Sequence, residues 1–239
     1  MCRTRWVRRR WLVISLAAAI LVTTSAVAEA TADDSEERDR VEAAAQVLRE
    51  MVRAEDAHIP DALLSRARAI AVVPHVVRGA LIVGGRWGKG VVATRDTDGE
   101  WGPASFLDLS GASIGFQIGG DATDLIMVFI EEDGLEALLD DRIELGANVS
   151  VAAGPIGRSG EIGTNVTLDS AIYAYSRSKG AFAGAALDGT VITIDDSANE
   201  TAFGRNIDGD VAVSGAVATP EVFTPYVEAV KAVTPPMAK

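Results

Sequence analysis

The chain has 239 residues, a hydrophobic fraction of 48% and a formal net charge of −12 at pH 7. This composition indicates a globular protein rather than a disordered chain. The acidic balance argues against general polyanion binding, so nucleic acid is not an expected partner and any anion site must be local.

Residues 1–28 have the layout of a secretory signal peptide. Residues 1–10 carry five arginines and no acid, and an apolar run over 11–22 precedes Ala26-Val27-Ala28. A basic segment, a short apolar segment and an A-x-A motif predict cleavage near Ala28 and export to the periplasm or the medium. An uncleaved anchor is the alternative, although the apolar run is shorter than the roughly 20 residues of a membrane span.

Cleavage would leave an acidic chain that cannot form a disulfide. The single cysteine, Cys2, lies in the basic segment. Loss of five arginines takes the formal charge from −12 to −17. The rest of the sequence predicts a flexible acidic leader over 29–38, a single domain over 39–233 and a tail over 234–239.

Two helices are predicted at the start of the domain. Residues 36–54 carry apolar side chains at helical spacing with charges between them, which predicts an amphipathic helix. A second helix is predicted over 60–69, with Pro60 at its first turn. A short buried strand over 70–73 should follow and end before Pro74.

From residue 79 to 195 the pattern is almost entirely that of short β-strands separated by glycine-containing turns. A short helix over 132–140 interrupts the series, and Thr224-Pro225 predicts the start of a C-terminal helix. The predicted fold class is therefore α+β, with N-terminal helices packed on a curved or barrel-like antiparallel β-sheet and a short C-terminal helix.

A glycine cluster over 84–90 carries Arg86, Trp87 and Lys89. Glycine weakens a strand, so four glycines in this short segment predict a hairpin bend or the close approach of another group. A nucleotide loop is not favoured, because the spacing is one residue short and the hydroxyl residue that follows the lysine in such loops is missing.

Two further segments combine glycines with isolated cations. Residues 152–160 contain Arg158, and residues 173–184 contain Arg177 and Lys179. Because cations are scarce in this chain, three such segments indicate local anion-binding loops.

The titratable residues do not suggest an enzyme. The two histidines, His58 and His75, have no second histidine or cysteine at metal-ligand spacing, and no nucleophile motif is present. We therefore expect no catalytic residue, no metal site and no cofactor. An enzyme built on carboxylates such as Asp108, Asp124 and Asp169 is the remaining alternative in that class.

Several segments together resemble the SYLF domain family, which is related to the Las17-binding actin-regulator domain of eukaryotes. The resemblance spans roughly residues 41–204. The segments that carry it are Ile59–Leu64, Ala69–Pro74, Gly84–Gly90, Trp101–Phe106, Gly115–Gly119, Ala153–Arg158 and Tyr175–Gly180.

The resemblance implies binding of lipids. Eukaryotic members of the family bind phosphoinositides and membranes, with help from an N-terminal amphipathic helix, and exported bacterial members are described as lipid-binding proteins. Here the polar side of that helix is acidic, which favours packing on the sheet over insertion into a membrane.

The expected function is that of an exported, non-enzymatic protein that recognises an anionic phospholipid or membrane surface. The alternative is a structural or partner-binding module of the cell envelope, with a protein as its partner. In the leading hypothesis, the cations bind phosphate and the tryptophan lies at the polar–apolar boundary. The predicted lipid-binding residues are Arg86, Trp87, Lys89, Arg158, Arg177 and Lys179.

Overall fold

The computed structural model describes residues 35–51, 59–80, 84–96, 98–113, 123–140, 142–155, 169–178 and 181–236. The predicted signal peptide lies outside the described residues, as do Arg158 and Lys179. Within the described residues, no helix is long and apolar enough to cross a bilayer.

Helices lie at both ends of the domain and between strands. A 3-10 turn over Glu221–Phe223 precedes the last helix. The helices are α1 (35–51), α2 (Asp61–Leu64), α3 (Glu132–Leu139), α4 (Asp196–Phe203), α5 (Gly209–Ser214) and α6 (Thr224–Val233).

The described strands form one curled sheet in the order β5-β9-β3-β2-β1-β4-β7-β6, with β8 also paired to β7. All pairs are antiparallel except β6 with β7. This arrangement confirms the predicted α+β class. The strands are β1 (Ala69–Ala80), β2 (Gly84–Arg95), β3 (Trp101–Ser113), β4 (Thr123–Phe129), β5 (Arg142–Glu144), β6 (Val151–Ala153), β7 (Ile172–Ser178), β8 (Ala181–Gly184) and β9 (Thr190–Ile194).

The sheet has an apolar core on each face, because side chains alternate along a strand. The helix face carries Val72, Phe106 and Tyr175, and α1 and α6 cover it. The opposite face carries Val73 and Leu107, among other strand residues, and residues of α3 and α5 join its core. Burial on both sides explains why several strands are nearly continuous apolar runs.

Helix α1 packs on the helix face, as its sequence pattern predicts. Val41, Ala44, Ala45 and Leu48 recur on one side of the helix and are fully buried. Residues 35–38 are helical, so the flexible leader predicted over 29–38 does not include these four residues. Its first turns are held by contacts to the sheet that are described below.

At the other end of the chain, Tyr226 of α6 fixes that helix to β1. Its hydroxyl donates a hydrogen bond of 2.9 Å to the backbone carbonyl of Ile70. Burial of the phenol raises its pKa well above the ordinary value. Deprotonation would remove this hydrogen bond and leave a charge in the core.

Strand β1 contains a β-bulge at Pro74 and His75. Val73 pairs with Leu125 and Val76 pairs with Thr123, so β1 has one more residue than its neighbour between these pairs. His75 has a φ of 52°, a left-handed value that histidine tolerates better than most residues. The prediction that the strand ends before Pro74 is wrong, because a bulge accommodates a proline that has no N–H to donate.

The bulge also exchanges the two faces of β1. Val72 before the bulge lies on the helix face, whereas Val76 belongs to the opposite core. In a regular strand of the same length, these two even-numbered side chains would lie on the same face. Val77 consequently points to the side of the helix face.

The second helix is shorter than predicted. Helix α2 ends at Leu64, and β1 begins at Ala69, whereas the sequence predicts a helix over 60–69. The backbone N–H of Arg68 donates to the carbonyl of Phe129 at 2.8 Å, so the chain joins the sheet before the predicted helix end.

Candidate functional site

The glycine cluster over 84–90 lies entirely within β2 and contains no turn. Gly88 and Gly90 face the opposite core, where a Cβ at either position would lie within 3 Å of Val73 side-chain atoms. The hairpin bend predicted here is therefore wrong, and the alternative of a close approach is confirmed. The approaching group is the neighbouring strand β1.

Strand alternation separates the two cations of this segment. Trp87 and Lys89 point to the helix face, whereas Arg86 points to the opposite face. Arg86 is buried, and its Nη1 lies 3.4 Å from the backbone carbonyl of Ala186. One headgroup approaching the helix face would thus meet Lys89 and not Arg86.

Trp87 is the most exposed large apolar residue among those the structure describes. Its side chain is 55% exposed, and the only comparable residue in that part of the chain is Val77, which is 54% exposed. The two are direct cross-strand neighbours on β1 and β2. The indole lies over Gly85, at the place a Cβ would occupy, so this glycine lets the ring lie along the strand.

Lys89 lies beside carboxylates. Its Nζ is 3.2 Å from Glu36 Oε1 of α1, and its cross-strand neighbour on β3 is Asp108. Burial, and then the nearby charge of Asp195, raise the pKa of Asp108, while Arg40 and Lys89 oppose that shift. The ion pair of Lys89 with Glu36 is solvent-exposed, and such a pair contributes about 0–1 kcal/mol. An external phosphate can therefore compete for Lys89.

Arg177 lies in strand β7 rather than in the predicted loop. It is the direct cross-strand neighbour of Asp124, and its Nε donates to Asp124 Oδ2 at 2.9 Å. Its Nη1 pairs with Glu50 of α1. Two carboxylates thus share this guanidinium, which joins β4, β7 and α1.

Asp124 also completes the bulge of β1. Its Oδ1 accepts a hydrogen bond of 2.9 Å from the backbone N–H of His75. The carboxylate is buried, with a side chain only 8% exposed. Asp124 therefore accepts a hydrogen bond from the bulge through one carboxylate oxygen and pairs with Arg177 through the other.

The described cations of the predicted site do not form one cluster. Lys89 pairs with Glu36 in the first turn of α1, whereas Arg177 pairs with Glu50 in its last turn. An α-helix rises about 1.5 Å per residue, which places these two glutamates roughly 20 Å apart along the helix axis. Because Arg158 and Lys179 lie outside the described residues, the complete site stays a prediction.

Sequence reasoning missed a buried ion pair between α1 and the start of α4. Arg40 Nη1 donates to Asp195 Oδ2 at 2.9 Å, and the two side chains are only 5% and 9% exposed. The guanidinium carbon also lies 4.8 Å from the centre of the Phe106 ring. The sequence signal for this pair was Arg40 itself, an arginine on the apolar side of the predicted helix, one turn before Ala44.

The glycines of the segment 152–160 have a packing role where they are described. Gly154 lies against the ring of Tyr175, in a space that a Cβ would occupy, and the Tyr175 hydroxyl donates to the carbonyl of Pro155 at 3.2 Å. Gly184 in turn packs against the Gly154 backbone. These glycines let two neighbouring segments pack closely together, one of them against the Tyr175 ring.

No group of three potential ligands that could hold a metal ion occurs among the described residues. His75 has an exposed side chain, with Nδ1 3.7 Å from Asp124 Oδ1. His58 lies outside the described residues. Asp108 and Asp124, which were considered for an enzyme, do not share one site, because each lies beside a different cation.

Comparison with known proteins identifies similar sequences. The family model for Ysc84, described as "Las17-binding protein actin regulator", matches residues 110–233. The chain is 35% identical over 190 residues to Protein YSC84 of Saccharomyces cerevisiae, which covers 76% of this chain and 40% of that protein. It is 34% identical over 173 residues to LAS seventeen-binding protein 3 of the same yeast, covering 71% of this chain and 38% of that protein.

A human protein, SH3 domain-containing YSC84-like protein 1, is also similar. It is 32% identical over 155 residues, covering 62% of this chain and 45% of that protein. The chain thus spans about two fifths of the length of the curated yeast relatives it matches.

Proposed function

The chain belongs to the Ysc84 family, the SYLF domain proteins, and we propose that it is an exported, non-enzymatic protein that binds membrane surfaces. The observation that carries the proposal is the exposed indole of Trp87 beside Lys89 on one face of β2. Tryptophan favours the polar–apolar boundary, and a lysine on the same side of the strand can meet a lipid phosphate.

The geometry supports a contact made by fewer residues than the six predicted. Arg86 is buried on the opposite face and Arg177 pairs with two carboxylates, so neither is placed for the same headgroup as Lys89. We propose Trp87 and Lys89 as the contact residues. Arg177 then has a positioning role through Asp124.

We expect preferential association with anionic vesicles. The wild-type protein should sediment with phosphatidylglycerol vesicles at low salt and more weakly with phosphatidylcholine vesicles. A cation near an anionic surface is worth about 1 kcal/mol, so Lys89→Ala should weaken association with the anionic vesicles roughly five-fold. The matched control is Lys231→Ala, which removes another exposed lysine, on α6.

Absence of wild-type association with either vesicle at any salt would contradict membrane binding. The alternative is then a protein partner, as the name of LAS seventeen-binding protein 3 indicates for that relative. Reconstituted binding of a purified envelope protein in the absence of lipid would support the alternative.

Export rests on the N-terminal sequence. We expect protein isolated from its host to be found in the envelope or the medium and to begin at residue 29, which mass spectrometry of the intact chain can measure. Recovery of the chain in the cytosol with Arg3 to Arg10 retained would contradict export while leaving the membrane contact open to the vesicle test.

A further inference from the structure

Beyond Trp87, the structure contains a second apolar side chain at the same surface. Val77 is 54% exposed and pairs directly with Trp87 across β1 and β2. Cross-strand neighbours have Cβ atoms about 5 Å apart, so the two form one apolar surface. We call Val77 and Trp87 the apolar pair.

The apolar pair exists because of the bulge at Pro74 and His75. The bulge keeps Val76 in the opposite core and Val77 on the side of Trp87, whereas regular alternation over the same residues would exchange them. Bulges commonly re-aim a side chain in this way. The exposed valine is thus a specific product of this backbone, fixed by the hydrogen bond from His75 to Asp124.

The apolar pair lies near the end of β1 and the start of β2. Among the described residues, β4 pairs with β1 only as far as Val76, whereas β2 remains paired with β1 and with β3 as far as Gly84. The pair is therefore beyond the described pairing with β4 on one side and is continued by β3 on the other.

The exposed area of the pair distinguishes two kinds of partner. Two side chains exposed by about half offer on the order of 200 Å². A stable protein–protein interface buries about 800 Å² on each partner, several times more. Shallow entry into the boundary region of a bilayer needs only a few apolar side chains, and tryptophan is enriched there.

From these observations we infer that the β1–β2 hairpin enters the boundary region of the bilayer through Val77 and Trp87 while α1 stays on the sheet. This inference rests on the proposed membrane binding and names the element that makes the contact. Lys89, on the same face, meets the headgroups behind the apolar pair.

Helix α1 is not free to take this role. Its apolar side is fully buried, and its last turn pairs with Arg177. Arg40 adds the buried ion pair with Asp195. Insertion of α1 would break all these contacts, whereas the apolar pair is exposed already.

Vesicle binding of variants tests the inference. Val77→Ser and Trp87→Ala should each weaken association about ten-fold, with both phosphatidylglycerol and phosphatidylcholine vesicles. The loss should persist at high salt, which screens surface charge but not apolar contacts. The matched control is Val211→Ser, at a partly exposed valine of α5, the helix that joins the opposite core through Val213. This control should bind as the wild type does.

Two further measurements locate the contact in the wild-type protein. Vesicle binding should slow amide hydrogen exchange over residues 76–80 and 84–88 and leave exchange over 35–51 unchanged. Brominated lipids should quench wild-type tryptophan fluorescence more than that of Trp87→Phe, since this difference isolates Trp87 from Trp101 and from any tryptophan of a retained N-terminal segment.

The outcomes separate the two proposals. If the wild type binds vesicles but the apolar-pair variants bind equally well, or if protection appears over 35–51 instead, the hairpin inference is overturned and membrane binding stands. If the wild type binds no vesicle, both fail.

Discussion

Replacing Arg40 with leucine is expected to lower the free energy of unfolding by about 3–5 kcal/mol. The guanidinium is 2.9 Å from Asp195 in a site where both side chains are nearly inaccessible to water. Leucine keeps much of the apolar stem but leaves the Asp195 carboxylate buried without its cation. Urea denaturation of both proteins measures the difference.

A double variant separates the ion pair from packing. Asp195→Asn keeps a side-chain oxygen for the N–H of Ala198, which Asp195 caps at the start of α4. Arg40→Leu combined with Asp195→Asn should be more stable than Arg40→Leu alone, because no buried charge is left unpaired. Arg49→Leu is the matched control on α1, since Arg49 forms an exposed pair with Glu42. Its cost should stay below about 1 kcal/mol.

If Arg40→Leu costs no more than Arg49→Leu, the Arg40–Asp195 pair does not hold α1 on the sheet. The same result would remove one of the reasons for α1 to stay in place when the protein meets a bilayer. The stability measurement thus bears on the membrane proposal without any lipid in the experiment.

Replacing Asp124 with alanine is expected to destabilise the protein by about 2–4 kcal/mol. The change removes the acceptor for the His75 N–H at the bulge and one of the two carboxylates that pair with Arg177. A buried donor without a partner costs about 1–3 kcal/mol, and a partly buried cation adds to that cost. Thermal or urea unfolding measures the sum.

Asp124→Asn tests which of the two roles dominates. The amide can still accept from the His75 N–H, but it carries no charge for Arg177, so its cost should lie between that of the wild type and that of Asp124→Ala. The exposed Asp98→Ala is the control and should stay within about 0.5 kcal/mol. Equal stability of Asp124→Ala and Asp98→Ala would show that neither the bulge nor Arg177 depends on this carboxylate.

Local patterns in the sequence were sufficient for the helix α1 and for the α+β class. The apolar side chains of α1 recur at helical spacing, and no competing signal falls within that stretch. The strand ends were harder to predict, because Pro74 has the same local sequence signature whether it ends a strand or begins a bulge. Only the pairing with β4, a strand that begins at Thr123, distinguishes these outcomes.

The roles of the cations could not be predicted from their neighbours in sequence. Glycines near Arg177 suggested a loop, yet its partners are Asp124 of β4 and Glu50 of α1, which are distant in the sequence. Arg86 and Lys89 are close in sequence but lie on different faces, since a strand separates residues of opposite parity. Trp87, in contrast, was predicted at a boundary position, and it is exposed on the helix face.

The bulge of β1 separates the length of this strand from the faces that its side chains take. Deleting one residue at Pro74 or His75 would restore regular alternation but leave Val76 in the opposite core and Val77 beside Trp87, because β1 and β4 would then pair residue for residue. A regular strand of the present length would instead exchange inside for outside beyond position 75. In such a sheet, one extra residue can be accommodated without a change in the chemistry of the surface.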